Sequence, residues 1–419
     1  MNAAPQPLGR PRGEGRETLE ARLLRRLLGS LGDPPIEFLL RWTGERVASA
    51  HGASVARVEI ADRATLIGLL ADPQVRFGDA YGAGRIEVVG DLVELTKVIY
   101  LSAAAQGAEG GVAQRVAGWL HRPRRNTLAG SRRNIHRHYD LGNDFYSLWL
   151  GESMAYTCAY FPSADAGLDE AQVAKMDHVC RKLRLGPGDR VVEAGCGWGT
   201  FALHMAARYG ATVRAYNISK EQIKFARARA SELGLGDRVE FVEDDYRNIT
   251  GDYDVFVSIG MLEHVGTENY EELGRIARRS IGATGRGLIH SIGRNRPAAL
   301  HPWIERRIFP GAYPPSIGQM MQIFEPSDLS VLDVENIRLH YALTLRHWLR
   351  RYEDAVGTVR EMFDETLVRT WRLYLAGSIA AFETGVLQLF QVLFTAEQNN
   401  DIPLTRAHVY AAEAVDAQR

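Results

Sequence analysis

Cysteine is scarce in this chain. Its 419 residues hold three, Cys158, Cys180 and Cys196. Their spacing matches no metal framework, and a chain this poor in cysteine is not a disulfide scaffold. A reducing compartment is expected. Lysine is nearly as rare: Lys97, Lys175, Lys182, Lys220 and Lys224 are the only five among 50 basic residues. Such a bias reflects codon composition, so arginine richness alone says little about function. No run of about 18 apolar residues is present, which argues against a membrane-spanning helix. The first 16 residues lack the apolar stretch of a secretory signal. Net charge is also lacking, because 51 acidic residues offset the 50 basic ones. The whole chain is therefore no polyelectrolyte. Internal repeats are not visible. With 46% hydrophobic and 24% charged residues, the composition is globular. At about 150 residues per domain, the length suggests two or three domains. The expectation is a cytoplasmic, multi-domain protein with a disordered N-terminus over residues 1–16.

In residues 17–29, Leu19, Leu23, Leu24, Leu27 and Leu28 recur at helical spacing with arginines opposite. Such a helix either docks on its own domain or lies on a membrane surface. "ARVEIAD" and "RIEVVGD" alternate like strands, and "LVELTKVIYLSAA" reads as a helix. A small α/β domain over 17–105 follows. Residues 106–137 form a basic linker. Between Gly110 and Tyr139 there is no Asp or Glu, while Arg115, Arg122, Arg124, Arg125, Arg132, Arg133 and Arg137 crowd the same stretch. It is either a solvated linker or a contact with anionic lipid head groups. No recognition motif supports nucleic acid. From residue 170 strands and helices alternate, which predicts a parallel, doubly wound sheet. The region after residue 345 reads as mostly helical. There "WRLYLAGSIAAFETGVLQLFQVLF" is expected to be a buried helix or helix pair broken near Gly385.

"VVEAGCGWG" places Glu193, Gly195, Cys196, Gly197 and Gly199 between a strand and a helix. Glycines there let the backbone approach a ligand closely. The spacing E-x-G-x-G-x-G is not the dinucleotide G-x-G-x-x-G. An acidic residue at the strand end suits a cationic ligand and repels a pyrophosphate. The pattern resembles the loop of class I S-adenosylmethionine (SAM) methyltransferases. Asn217, Ser219 and Gln222 in "YNISKEQ" come within reach of a ribose. Asp245 is placed for an adenine amino group and Tyr246 for its ring. The plainer reading of Asp244 and Asp245 is a solvated turn.

Eight motifs in order carry a narrower resemblance: "HYDLGNDFY" (His138–Tyr146), "YTCAYF" (Tyr156–Phe161), "EAGCGWG", "DYRNI", "GMLEHVG" (Gly260–Gly266), "IHSIG" (Ile289–Gly293), "WIERRIFPGAYPPS" (Trp303–Ser316) and "HYALTLRHW" (His340–Trp348). Together they resemble the cyclopropane-fatty-acyl-phospholipid synthase family, over about residues 75 to 395. The resemblance implies a Rossmann-like SAM-methyltransferase domain over 138–419, with helical C-terminal additions and acyl-binding insertions. It implies methyl transfer from SAM to the cis double bond of an unsaturated phospholipid acyl chain. Bound bicarbonate then removes a proton from the resulting carbocation and a ring closes. The bicarbonate ligands implied are Cys158, Glu263, His290, Ile292 and Tyr341, with Cys158 and Ile292 acting through backbone. SAM is implied to touch Tyr156, Thr157, the Gly195–Gly197 loop, Asn217–Gln222 and Asp245–Tyr246. Taken singly, Cys158 could be a small apolar core residue, His290 a satisfied core histidine and Tyr341 a packing aromatic. Two departures stand out: Asn217 where the family commonly has Thr, and Glu383 where a basic or neutral residue is more familiar. Relatives resolve the cation differently, giving methylene- or methyl-branched chains or furan precursors, so that outcome stays open. The resemblance also implies a peripheral place on the inner membrane face and leaves room for a homodimer. On the branched-chain reading, it further leaves room for a redox partner enzyme.

Overall fold

The computed structural model describes residues 17–107 and 141–410. The 1–16 tail and nearly all of the basic linker lie outside the described residues, as do His138 and Tyr139 of the first motif. Residues 17–107 hold a four-stranded sheet with helices. Strands Ile36–Leu40 (β1), Arg46–Ala48 (β2), Ala56–Ile60 (β3) and Ile86–Gly90 (β4) form a sheet in the order β2-β1-β3-β4. β1 and β3 pair in parallel and alternate buried with half-buried residues, as a sheet with one covered face requires. The helix Leu19–Ser30 is capped by Thr18, whose hydroxyl accepts from Ala21 N at 3.1 Å. It buries Leu24, Leu27 and Leu28. Its apolar stripe therefore faces its own domain.

The second sheet has seven strands: Arg190–Ala194 (β5), Thr212–Asn217 (β6), Val239–Glu243 (β7), Val255–Ile259 (β8), Arg286–Gly293 (β9), Leu329–Asn336 (β10) and Gln388–Ala396 (β11). The order is β10-β11-β9-β8-β5-β6-β7. β5 to β9 run parallel, and β11 lies antiparallel between β9 and β10. Val191, Val213 and Val257 pack into a core on one face of the sheet, and Val192, Phe256 and Ile289 into a core on the other. Both faces are covered, so the strands read as nearly unbroken apolar runs. β5 and β8 are neighbours although β6 and β7 separate them in sequence. The chain reverses direction across the sheet there, and that switch point opens a crevice beyond the carboxyl ends of the strands.

One expectation is corrected. The helix Glu365–Glu383 ends before Gly385, which has φ +77°, and the following "QLFQVLFTA" is strand β11 rather than more helix. Every residue of β11 is buried. A strand paired on both edges and covered on both faces has no period-two signature, so its pattern cannot be told from a buried helix.

The two sheets are joined by specific contacts. Arg369 Nε donates to Tyr81 O at 2.6 Å, and Nη2 donates to Ile86 O at 2.9 Å and Glu87 at 3.1 Å. Its guanidinium also covers the Tyr81 ring at 4.3 Å. Gly78 lies so close to Trp303 that an added Cβ would come within 2.3 Å of the indole nitrogen. Glu383 accepts from Arg346 Nε at 2.7 Å and pairs with Lys97 of the N-terminal domain at 3.3 Å. The unfamiliar acid at 383 is thus an interdomain clasp.

Candidate active site

β5 ends at Ala194, just past Glu193, and the chain turns sharply through the glycine loop into the helix Thr200–Tyr209. Gly195 has φ +84°, and a Cβ there would stand 2.9 Å from Met261. Gly199 has φ +82°, and its Cβ would strike the Phe241 ring at 2.6 Å. Beside this loop lies a cavity lined by Tyr156, Thr157, Glu193, Gly195, Cys196, Gly197, Asn217, Gln222, Asp245 and Tyr246. Of the residues expected at a SAM site, Ser219 is the exception. It caps the helix Lys220–Glu232, its hydroxyl accepting from Gln222 N at 3.5 Å.

The Asn217 departure has a structural account. Its Nδ2 donates to Gly197 O at 3.1 Å and to Gln222 Oε1 at 2.8 Å, and its Oδ1 accepts from Ser219 N at 3.2 Å. The amide ties the glycine loop to the next turn, with one more donor than threonine has. Asp245 is buried rather than a solvated turn residue. Its carboxylate accepts from Arg247 Nη1 at 3.1 and 3.2 Å, and the same guanidinium lies 4.8 Å over the Tyr246 ring.

Two cavity features were not foreseen. Lys175 is only 2% exposed, and its Nζ donates to Thr157 Oγ1 at 3.1 Å. Burial pulls its pKa down, while nearby Cys158 and Glu193 pull the other way. Burial pushes the Glu193 carboxyl up, opposed by Lys175. Gln172, three residues before Lys175 and so on the same helix face, donates to Thr157 O at 2.9 Å. The signal was present in "EAQVAK": two polar residues share a face with buried Leu168, Ala171 and Val179. The second feature is His264, which lines the cavity with its pKa lowered by burial to about 4.

None of the expected bicarbonate residues lines this cavity. Glu263 sits in the turn Leu262–His264 after β8 and is buried. Its Oε1 accepts from Ile292 N at 2.6 Å. Its Oε2 is shielded from solvent with no hydrogen-bond partner among the described residues. Burial raises its pKa to about 7. His290, two residues before Ile292 on β9, is lowered by burial to about 3 and is neutral. Its Nδ1 lies 3.2 Å from Gln391 Nε2 on β11. Accepting there leaves the proton on Nε2. Gly260 N donates to His290 O at 2.9 Å, which joins the β8 turn to β9. Cys158 is buried with its thiol pKa raised by burial. The next residue's amide, Ala159 N, donates to Thr344 Oγ1 at 3.0 Å. Tyr341 lies one turn earlier on that helix, Arg338–Asp354, its ring 4.6 Å from Phe382. Glu263 and Ile292 therefore meet directly; Gly260 joins the turn before Glu263 to His290, and Thr344 joins the segment of Cys158 to the helix of Tyr341.

An aromatic box adjoins both groups. Tyr156 centres it, 5.3 Å from Trp149, 5.4 Å from Trp348 and 5.6 Å from Tyr146. Its hydroxyl shares a 2.8 Å hydrogen bond with Tyr374. Such a box excludes water and presents π faces to positive charge.

A glycine loop at the switch point, a buried acid at the strand end and this sheet order define a SAM-dependent methyltransferase. The mycolic acid cyclopropane synthase CmaA1 complexed with SAH and CTAB has the same fold, with 29% sequence identity and a TM-score of 0.60 over 63% of this chain and 98% of that one. Residues 127–392, more than half of the chain, match the mycolic acid cyclopropane synthetase family, and the chain belongs to that family. It is 38% identical over 361 residues to a probable fatty acid methyltransferase of Pseudomonas putida, covering 82% of this chain and 89% of that protein. It is 37% identical over 270 residues to a cyclopropane-fatty-acyl-phospholipid synthase of Escherichia coli, covering 64% of this chain and 69% of that protein. Among the described residues, no helix is long and apolar enough to cross a membrane.

Proposed function

We propose that this enzyme methylates the cis double bond of an unsaturated acyl chain in a membrane phospholipid and closes a cyclopropane ring, with bound bicarbonate as the base. The observation that carries this reading is the Glu263 carboxyl, held by Ile292 N at 2.6 Å through one oxygen, while the other, near the Ser291 hydroxyl, has no hydrogen bond of good geometry among the described residues. Burying an unsatisfied polar group costs about 1–3 kcal/mol. An ion bridging Glu263 and the neutral His290 would relieve that cost.

The residues fit both small molecules. The cavity from Tyr156 and Thr157 through the glycine loop to Asp245 and Tyr246 would hold SAM. The Glu193 carboxyl and the aromatic faces suit a sulfonium. Glu263, His290 and Tyr341, with backbone at Cys158 and Ile292, would hold bicarbonate. When bound, SAM supplies an electrophilic methyl group and bicarbonate a weak base. The chain's own residues then orient and shield. Glu263 as carboxylate accepts the ion's hydroxyl proton and fixes its orientation, and His290 donates from Nε2. Because an alkene is a poor nucleophile, much of the rate must come from holding it in line. The aromatic box keeps water from the positive charge that develops on the chain. Lys175 offsets the Glu193 charge and fixes Thr157 at the cavity wall. Peripheral contact with the cytoplasmic face of the inner membrane, through the arginines between residues 115 and 137, would bring substrate to the site.

Purified protein, SAM and vesicles of a cis-monounsaturated phospholipid test this. The extracted lipid should gain one methylene by mass and show high-field ring protons by NMR. No mass gain with SAM bound would sink the reading. A second reading, a methylene- or methyl-branched product, draws support from the Pseudomonas putida relative, named only as a fatty acid methyltransferase. Vinyl protons at the same mass gain would select it.

A further inference from the structure

The shielded guanidiniums of this fold mostly meet carboxylates: Arg247 meets Asp245, Arg286 meets Asp189 and Arg369 meets Glu87. Arg294 does not. It directly follows β9, where its N donates to Pro315 O at 2.8 Å and its backbone bridges to Ser316. Its Nε is shielded from solvent with no hydrogen-bond partner, and no carboxylate among the described residues pairs with it. The ionisable groups that act on it are the phenols of Tyr100 and Tyr313 and the imidazole of His301. The Asp72 carboxylate acts on His301 and lies 4.0 Å from Arg306. Burial raises the Tyr100 phenol and lowers His301 to about 4. The undescribed stretch 108–140 holds only two acids, Glu109 and Asp140, one at each end.

A half-buried guanidinium whose Nε is shielded and unpaired is held at a cost. A guanidinium fork flanked by phenol and imidazole donors is also a phosphate-binding set. Its position suits a lipid. Residues 290, 292 and 294 fall on one side of an extended strand. Arg294 therefore lies about 7 Å beyond Ile292 and about 13 Å beyond His290. An acyl chain spans about 15 Å, half the hydrocarbon core, so a mid-chain double bond sits roughly 8 Å from its ester, with glycerol adding the rest. Tyr313 links the two places, since its N donates to Glu263 O at 2.7 Å. Tyr100 belongs to the N-terminal domain, so both domains contribute.

We propose that Arg294, with Tyr100, Tyr313 and His301, forms a phosphate-ester subsite that takes the head-group phosphate of the acyl lipid while its chain runs toward Glu263 and His290. This rests on the acyl-lipid reading above. Full-length wild type, Arg294→Gln and Arg294→Lys would be assayed on dioleoylphosphatidylglycerol and on dioleoylglycerol in the same mixed micelles. For Arg294→Gln the KM for the phospholipid should rise about tenfold or more, with kcat and the dioleoylglycerol KM little changed, and Lys should restore part of the loss. The Tm of Arg294→Gln should hold or rise, because an unpaired charge is removed; loss of a structural arginine would lower it. Equal KM changes on both lipids would overturn the subsite. So would a Tm gain from inorganic phosphate that Arg294→Gln abolishes while the phospholipid KM stays constant, which marks a free-phosphate site. If wild type turns over neither lipid, yet short-chain dihexanoylphosphatidylglycerol raises its Tm and not that of Arg294→Gln, the subsite stands and the acyl-methylation reading falls.

Discussion

Glu263 holds its position at a cost that shows in pH. Its pKa is raised from the ordinary 4.5 to about 7 because burial disfavours the carboxylate. The proposed role needs the carboxylate, so kcat should rise as pH passes about 7 and level above it. Glu263→Gln should keep SAM binding, lose most turnover and flatten that profile. Wild-type product formation by this variant would refute the role. Stability runs the other way. A carboxyl with a raised folded pKa contributes stability fully below 4.5, and loses it as pH rises through about 7. At about 1.4 kcal/mol per unit, the loss is on the order of 3 kcal/mol. The Gln variant should therefore gain on wild type in Tm between pH 4.5 and 7, and the gap should then stay constant. A gap that does not vary with pH would mean that Glu263 titrates normally. Glu263 was legible because it sits in an ordered motif. Lys175 was not. A lysine on an amphipathic helix is nearly always a solvated one, and only the fold shows that this one is sealed against Thr157.

Among the elements, the glycine loop is the most constrained. At Gly199 a left-handed backbone coincides with the Phe241 ring against the absent Cβ. Gly199→Ala should cost about 3 kcal/mol, combining an unfavourable φ with overpacking. It should also weaken SAM affinity, because the loop shifts. Chemical denaturation and calorimetric SAM titration would check both, and a loss below about 1 kcal/mol would show that the loop relaxes freely. The loop's place between strand and helix could be read from residue spacing because tight turns have few chemical solutions. β11 could not be read, because its all-buried surroundings erase the alternation that marks a strand. The helix Leu19–Ser30 is an intermediate case. Its stripe was plain, but whether the stripe faced protein or membrane depended on what else was nearby.

For the molecule as a whole, the joint between the two sheets decides the site's outer edge. Arg369 alone holds Tyr81 O, Ile86 O and Glu87 and covers the Tyr81 ring. Removing it strands the buried Ile86 carbonyl and unpairs Glu87, so Arg369→Ala should lower stability by about 1–3 kcal/mol. It should raise the lipid KM more than the SAM KM, since the cavity proposed for SAM is lined wholly by residues between Met154 and Val265, outside the N-terminal sheet. A scanning-calorimetry and two-substrate kinetic series would show this. Equal effects on both KM values would instead mean that the N-terminal domain supports the SAM site.

The sequence by itself determined the alternation of strands and helices, the glycine loop and the ordered motifs. With these came the fold class, the cofactor class and the family, because each depends on local spacing and chemistry. Tertiary structure alone decided that Glu383 clasps two domains, that Asn217 knits two turns, that Lys175 is buried and that no carboxylate among the described residues pairs with Arg294. These are statements about which charges meet. Charge pairing and desolvation depend on distances between segments far apart in the chain, and no local pattern encodes them.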